Sequence, residues 1–466
     1  MRNPYAVLAL AGASMFMAVV DFTIVNVSLP RMAVDLKLAE DALQWVIIGY
    51  GIPFGGFLLL AGRLGDIIGR RLTLQAGLLL FVAASLTAGL SSTGGQLIGA
   101  RIAQGIGAAL ITPSALGIVA DAFEAGKKRE NALGIYGALA GTAASVGVLA
   151  GGFLTDGPGW SWIFYVNIPI GAVLLVATIF VLPENRIAHP GGEFNAVSAL
   201  SVTGGLLAGL YALNRGVEHG WTRWTTVGFG ALAVALLLVF GLSEWRARNP
   251  LVPRALRKNL PVVQANLAAA SGFGSFLAFV FLTSVVLQQL LGYSPTKTGV
   301  AWLLTTVTAF VFAGLTGAVL ANKVGTRILL ALASLLVVGA AAWLIYLPAD
   351  ASFASRVMPA LIAAGMAVGF FAPSVQIGAL ADVEDTNFGA ASGLVETSRE
   401  LGGAIVIAAA STVLLGSHSG FLHGVHGGYG VIAAAAALGV VATAFRAESA
   451  VRAEVLDSAA VVEPAS

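Results

Sequence analysis

The sequence predicts an all-α membrane protein of fourteen spans with both termini in the cytoplasm. Three observations predict it. Of 466 residues, 58% are hydrophobic and only 10% charged, where a soluble domain carries about 25% charged residues; mean hydropathy is +0.88. Apolar runs of about 20 residues, the length that crosses a bilayer, recur from end to end. Finally, Lys and Arg concentrate in alternate links between those runs.

The runs lie near 5–27, 43–62, 73–91, 97–120, 131–154, 163–183, 196–214, 224–243, 262–291, 298–321, 328–347, 357–380, 388–414 and 428–446. The first is read as a retained span, because it lacks the short apolar core and small-residue cleavage site of a signal peptide. With the N-terminus in the cytoplasm, seventeen of the 25 Lys and Arg fall in inner links or tails and six in outer links; Arg101 and Arg399 lie inside spans. One inner link, DVEDTNF at 382–388, runs against that bias. The links are short and leave no room for a soluble domain. Residues 447–466, polar and Ala/Val-rich, read as a disordered tail.

With no cysteine, disulfides and thiolate chemistry are excluded. The net charge of +2 gives no footprint for nucleic acid. No HExxH, nucleophile elbow or Walker A pattern is present, so nothing points to an enzyme. His418, His423 and His426 in SHSGFLHGVHGG do not have a known zinc spacing; no metal site and no cofactor are expected.

Residues 62–72, GRLGDIIGRRL, between spans 2 and 3, are echoed by 318–328, AVLANKVGTRI, between spans 10 and 11. Leu64 matches Leu320, Gly69 matches Gly325 and Arg71 matches Arg327, while Asp66 gives way to Asn322. Duplicated halves around a central site are a common plan of secondary transporters. The division is then 1–185, an inserted pair of spans with a linker at 186–258, 259–446, and the tail.

Ionisable groups within spans cost at least ~2.5–3.5 kcal/mol each on insertion scales and mark functional sites. They are Asp21, Arg101, Glu396, Arg399 and Glu400. Asp21 lies about six residues, ~9 Å, below the outer end of span 1; Arg101 lies at a similar depth in span 4. Opposite charges at one depth are expected to face one cavity. Burial disfavours a carboxylate and a neighbouring arginine favours it, so an acid held between the two suits proton coupling. A static pair that merely orients two helices is the alternative. Glu396, Arg399 and Glu400 share a helix face, which reads as an acidic site for protons or a cationic cargo, or as a local salt bridge near the inner interface.

Polar and aromatic residues with span addresses, Asn26, Trp45, Gln104, Tyr136, Asn266, Gln288 and Gln289, are candidates to line a substrate cavity, as is Phe273; Gln44, Asn167 and Gln376 also carry polar groups into spans. Each is also explained by helix packing or an interface belt. Gly137 with Gly141, and Gly147 with Gly151, are small-xxx-small pairs suited to close helix contact.

Together these motifs resemble the major facilitator superfamily, in particular its fourteen-span drug:proton antiporter family, across residues 5–446. GRLGDIIGRRL resembles the superfamily's signature loop, with Gly62, Asp66, Gly69, Arg70 and Arg71. DFTIVNVSLP at 21–30 resembles the span 1 motif and RIAQGIGAALITPSA at 101–115 the span 4 motif. GTAASVGVLAGG at 141–152, followed by WSWIFYVNIPIG, resembles the antiporter span 5 motif and its exit, with Gly147, Gly151 and Gly152. SGLVETSRELGGAI resembles span 13, where some members carry a functional acid at the Glu396 position. Two departures stand out: Gly147-Val148 replaces the usual Gly-Pro, and spans 9 and 10 carry Asn266, Gln288 and Gln289 rather than an acid.

The resemblance implies two six-helix bundles plus two accessory helices in the cytoplasmic membrane, a monomer working by alternating access. It implies export of amphipathic, often cationic compounds in exchange for protons. Asp21, Arg101 and Glu396 would serve coupling, and Asp66 with its arginines a cytoplasmic interlock. The rival readings are an exporter of an endogenous metabolite, lipid or siderophore, an importer, and a non-transporting receptor or scaffold.

Overall fold

The computed structural model describes residues 3–38, 40–124, 126–182, 195–247, 250–417 and 420–444. Among them there are no strands. The long helices are α1 Pro4–Asp35, α2 Glu40–Ile68, α3 Arg70–Gly89, α4 Gly94–Ala122 and α5 Lys127–Asp156. They continue with α6 Trp162–Val181, α7 Ala196–His219, α8 Trp224–Arg246 and α9 Leu260–Leu290. The remainder are α10 Pro295–Leu315, α11 Thr326–Ile345, α12 Phe353–Ala379, α13 Phe388–Leu415 and α14 Phe421–Ala444. Thirteen are long and apolar enough to cross a membrane; α5, with 30 residues, has the length as well.

Local sequence sets the ends. Asn3, Thr93, Asn195, Asn259, Ser294 and Ser352 each accept a backbone N–H in the first turn of the helix they open, satisfying donors that a helix start leaves unpaired. The repeat noted in the sequence has a backbone counterpart. Gly69 (φ 99°) alone separates α2 from α3, and Gly325 (φ 85°) separates α10 from α11. Both take the left-handed region that favours glycine.

Helices α1 to α6 pack among themselves, as do α9 to α14. The two groups meet where α2 lies on α13 and where α5 lies on α10 and α12. Glycines make those approaches possible: a Cβ on Gly62 would strike the Gly389 carbonyl, one on Gly134 would strike Gly317, and one on Gly137 would strike Ala372. These contacts cluster toward the end of the bundle that carries the arginine-rich α2–α3 and α4–α5 turns. Helices α7 and α8 form a hairpin. Its α7 face covers the α2–α13 seam, where Leu59, Ala199, Val202, Leu206, Leu251 and Val252 form one apolar cluster. Of α8 only Thr226, Ala233 and Glu244 are buried, so the helix faces outward. Glu244 at its end accepts the Leu251 and Val252 N–H groups and Arg257, tying the hairpin to the linker.

Two expectations change. Residues 421–427, read as loop, form the first turns of α14. Gly424 and Gly428 sit against the Leu414 backbone and the Leu282 side chain, so packing overrides their low helix propensity. His426 consequently bonds the Leu347 carbonyl at 2.8 Å. In addition, α9 contains π-turns at Ala269–Phe273 and Val286–Leu290, α10 is continued to Gly325 by a π-turn at Thr316–Leu320 and a short helix Ala321–Val324, and α12 opens with a π-turn at Phe353–Val357; no sequence period announces them. The expected tail, Arg2, Arg186, Arg248 and His418 lie outside the described residues.

Candidate functional site

Two buried ion clusters and an interlock at the arginine-rich end stand out. The first cluster surrounds Asp21 in α1. Arg101 NH1 lies 2.6 Å from Asp21 Oδ2, and both side chains are fully buried. Asp21 Oδ1 accepts Asn167 Nδ2 at 2.6 Å and Gln104 Nε2 at 3.1 Å. Arg101 also donates to Gln104 Oε1 and to the Val46 carbonyl, and its guanidinium stacks 4.4 Å from the Tyr50 ring centroid. Gln104 reaches Ser85 with its remaining donor capacity. Because Gln104 Oε1 faces an arginine, its amide nitrogen must face Asp21. Every bond to Asp21 is therefore donated to it, and the cage is built for a carboxylate.

Close packing holds α1 in place. A Cβ on Gly147 would strike the Val20 carbonyl and Thr23, and one on Gly151 the Ile24 carbonyl. A Cβ on Gly152 would meet nothing within 4 Å, so Gly152 is not part of this contact. The side chains of Asn26 and Val148 are not described.

The second cluster lies in α13. Arg399 NH2 sits 2.6 Å from Glu396 Oε2 and 3.2 Å from Glu400 Oε1; the first contact is an ion pair without hydrogen-bond alignment. Gln376 of α12 donates to Glu396 Oε1 at 3.1 Å. With both acids ionised, one arginine leaves the cluster one negative charge in excess. Glu396, Arg399, Gln376, Phe273 and Ala140 line a cavity of about 40 Å³. That is room for about one water, far below the ~300–1,000 Å³ of a drug-sized site. Phe273 sits in the α9 π-turn, its ring 5.5 Å from the Arg399 guanidinium.

The other cavity candidates go elsewhere. Tyr136 is the exception: it is buried near this cluster, within electrostatic reach of Glu396 and Arg399, and donates to the Thr112 carbonyl. Trp45 stacks on Tyr211 of α7, with centroids 5.8 Å apart. Asn266 is committed to the Val262 carbonyl and to Ser398. Gln288 and Gln289 are exposed near the end of α9.

At the arginine-rich end, Asp66 accepts the Gly389 and Ala390 N–H groups at 3.0 and 2.8 Å, capping α13 from the other half. Arg70 pairs with Asp66 and Asp121 and donates to the Asp385 carbonyl. Arg129 lies 3.4 Å from the Asp385 carboxylate, its guanidinium 5.0 Å from the Phe388 ring. The acidic link that opposed the charge bias is thus the partner of this basic face. Ser85, Asp121, Arg129 and Asp385 were not singled out in the sequence, and Asn167 stood out only as a polar group within a span. The one usable signal was DVEDTNF itself, an acidic stretch on a basic face.

Residues 11–407 match the family model described as Major Facilitator Superfamily. The chain belongs to that superfamily. It is similar to the puromycin resistance protein pur8 of Streptomyces alboniger, 35% identical over 88% of this chain and 82% of that one. It is also similar to a probable actinorhodin transporter of Streptomyces coelicolor (31%; 88% and 72%) and to the multidrug resistance protein Stp of Mycobacterium tuberculosis (30%; 89% and 76%). Among solved structures, the human organic anion transporter MFSD10 (TETRAN) shares the fold with a TM-score of 0.68 at 16% identity, covering 95% of this chain and 100% of that one. The chain is a multi-pass membrane protein of this transporter superfamily, not an enzyme; the relatives are named for drug resistance or transport, and being bacterial they imply a cell-membrane location.

Proposed function

We propose that this chain is a proton-coupled antiporter of the cytoplasmic membrane. On this reading it has fourteen spans and exports amphipathic, mainly cationic compounds. The observation that carries the proposal is the Asp21 cage. Protonating Asp21 would cancel the charge that holds the Arg101 guanidinium and weaken the three bonds donated to it, while the new O–H, on the one unused lone pair of Oδ2, would face a cage made of donors. Protonation therefore loosens the contact among α1, α4 and α6, while loss of the proton restores it. A proton thereby acquires the differential affinity for two arrangements that exchange requires.

In this scheme the arginine-rich end is cytoplasmic and closed by the Asp66 lock. The excess negative charge around Glu396 and Glu400 receives a proton or a cationic cargo from the cavity, which must widen before a drug fits. A second reading, export of one compound made by the cell itself, is favoured by the relative named for actinorhodin. A panel of lipophilic dyes in everted vesicles separates the two. Broad uptake driven by an imposed pH gradient, lost in Asp21→Asn when normalised to the amount of folded protein in the vesicles, is the expected result. Gradient-independent uptake would overturn the coupling, and uptake of no dye would favour the narrow cargo.

A further inference from the structure

Away from both ion clusters, the outer faces of α11 and α14 enclose a groove of about 370 Å³. Its walls are Ile328, Ala331, Leu332 and Leu335 from α11 and Val440 from α14. Ile328, Leu332 and Leu335 are 41–55% exposed and follow one another at helical spacing, so they form a lipid-facing stripe. The groove ends at Arg327. That side chain is clamped at the α14 terminus, Nε donating to the Thr443 carbonyl and NH2 to the Ala444 carbonyl, both at 2.6 Å. Among the described residues NH1 has no partner. Lys323 is exposed in the last turn before Gly325.

We propose that this groove holds one anionic phospholipid, with an acyl chain along the apolar stripe and its phosphate on Arg327 NH1 within reach of Lys323. Charge complementarity selects the occupant: an apolar slot closed by a fixed guanidinium fits a molecule with a greasy tail and an anionic head. Holding the arginine by two carbonyls orients its free nitrogen before the lipid arrives, which lowers the ordering cost of binding. The site needs only that α11 and α14 cross the membrane, whatever the transporter carries; its leaflet is the cytoplasmic one if the orientation proposed above holds.

Native mass spectrometry of the full chain in detergent tests this, by titration with phosphatidylglycerol or phosphatidylcholine of identical acyl chains. One phosphatidylglycerol is expected to bind roughly fivefold more tightly than phosphatidylcholine, the factor carried by one basic side chain near an anionic headgroup. Arg327→Gln should erase that preference. Ala331→Phe, which fills the slot and leaves the clamp intact, should weaken both lipids together, so the result does not hang on how well the Arg327 variant folds. Equal binding of the two lipids by the wild type, or unchanged binding in Ala331→Phe, would overturn the proposal. Displacement of the lipid by millimolar inorganic phosphate would also overturn it, showing a small-anion site instead.

Discussion

Among the described residues, Asp21 and Arg101 are each other's only ion-pair partners in a fully buried site. Removing one partner leaves the other charge uncompensated, at a cost of about 3–5 kcal/mol. Asp21→Asn and Arg101→Gln are each expected to lose that much, and the double variant distinctly less than their sum, by roughly 1–3 kcal/mol. Unfolding in detergent measures the cycle; strictly additive losses would show that the pair is not coupled. These two residues were legible in the sequence because a charge in an apolar run is rare and must be accounted for. Asn167 and Gln376 were visible only as polar groups in spans, where packing explains most such residues. Their selection as partners depends on how α6 and α12 are rotated, and that is set by tertiary contacts.

Helix α13 begins under a foreign cap. Asp66 takes the place of the side chain that usually closes a helix start, since α13 has no capping side chain of its own. Losing a cap costs about 0.5–2 kcal/mol. Asp66→Ala is therefore expected to open the arginine-rich end several-fold more often. The native chain has no cysteine, so the buried Ser392, replaced by Cys, reports this directly by its rate of thiol labelling. An unchanged rate would contradict the lock. Within α5, Gly147→Val drives atoms into α1 and should cost about 1–3 kcal/mol, whereas Gly152→Ala should be nearly neutral in thermal melting; similar losses at both positions would refute the assigned contact. Helix extents were mostly readable from apolar run length. The start of α14 and the π-turns were not, because glycine packing and local ladder slips leave no period in the sequence.

Across the whole molecule, the duplicated halves meet through glycine-lined contacts at the arginine-rich end, with the hairpin of α7 and α8 laid over one seam. The duplication was readable in GRLGDIIGRRL and its echo, and the identical glycine breaks at 69 and 325 show why those letters persist. The hairpin's position was not readable, since its α2-facing stripe looks like any span. Coupling at this scale requires that the two ion clusters and the lock exchange arrangements together. The most direct measurement is proton release from detergent-purified protein on adding a lipophilic cation, in wild type, Asp21→Asn and Glu396→Gln. Release from the wild type that disappears in at least one of these variants is the predicted result. No release from the wild type across several cations and pH values, or release undiminished in both variants, would contradict it.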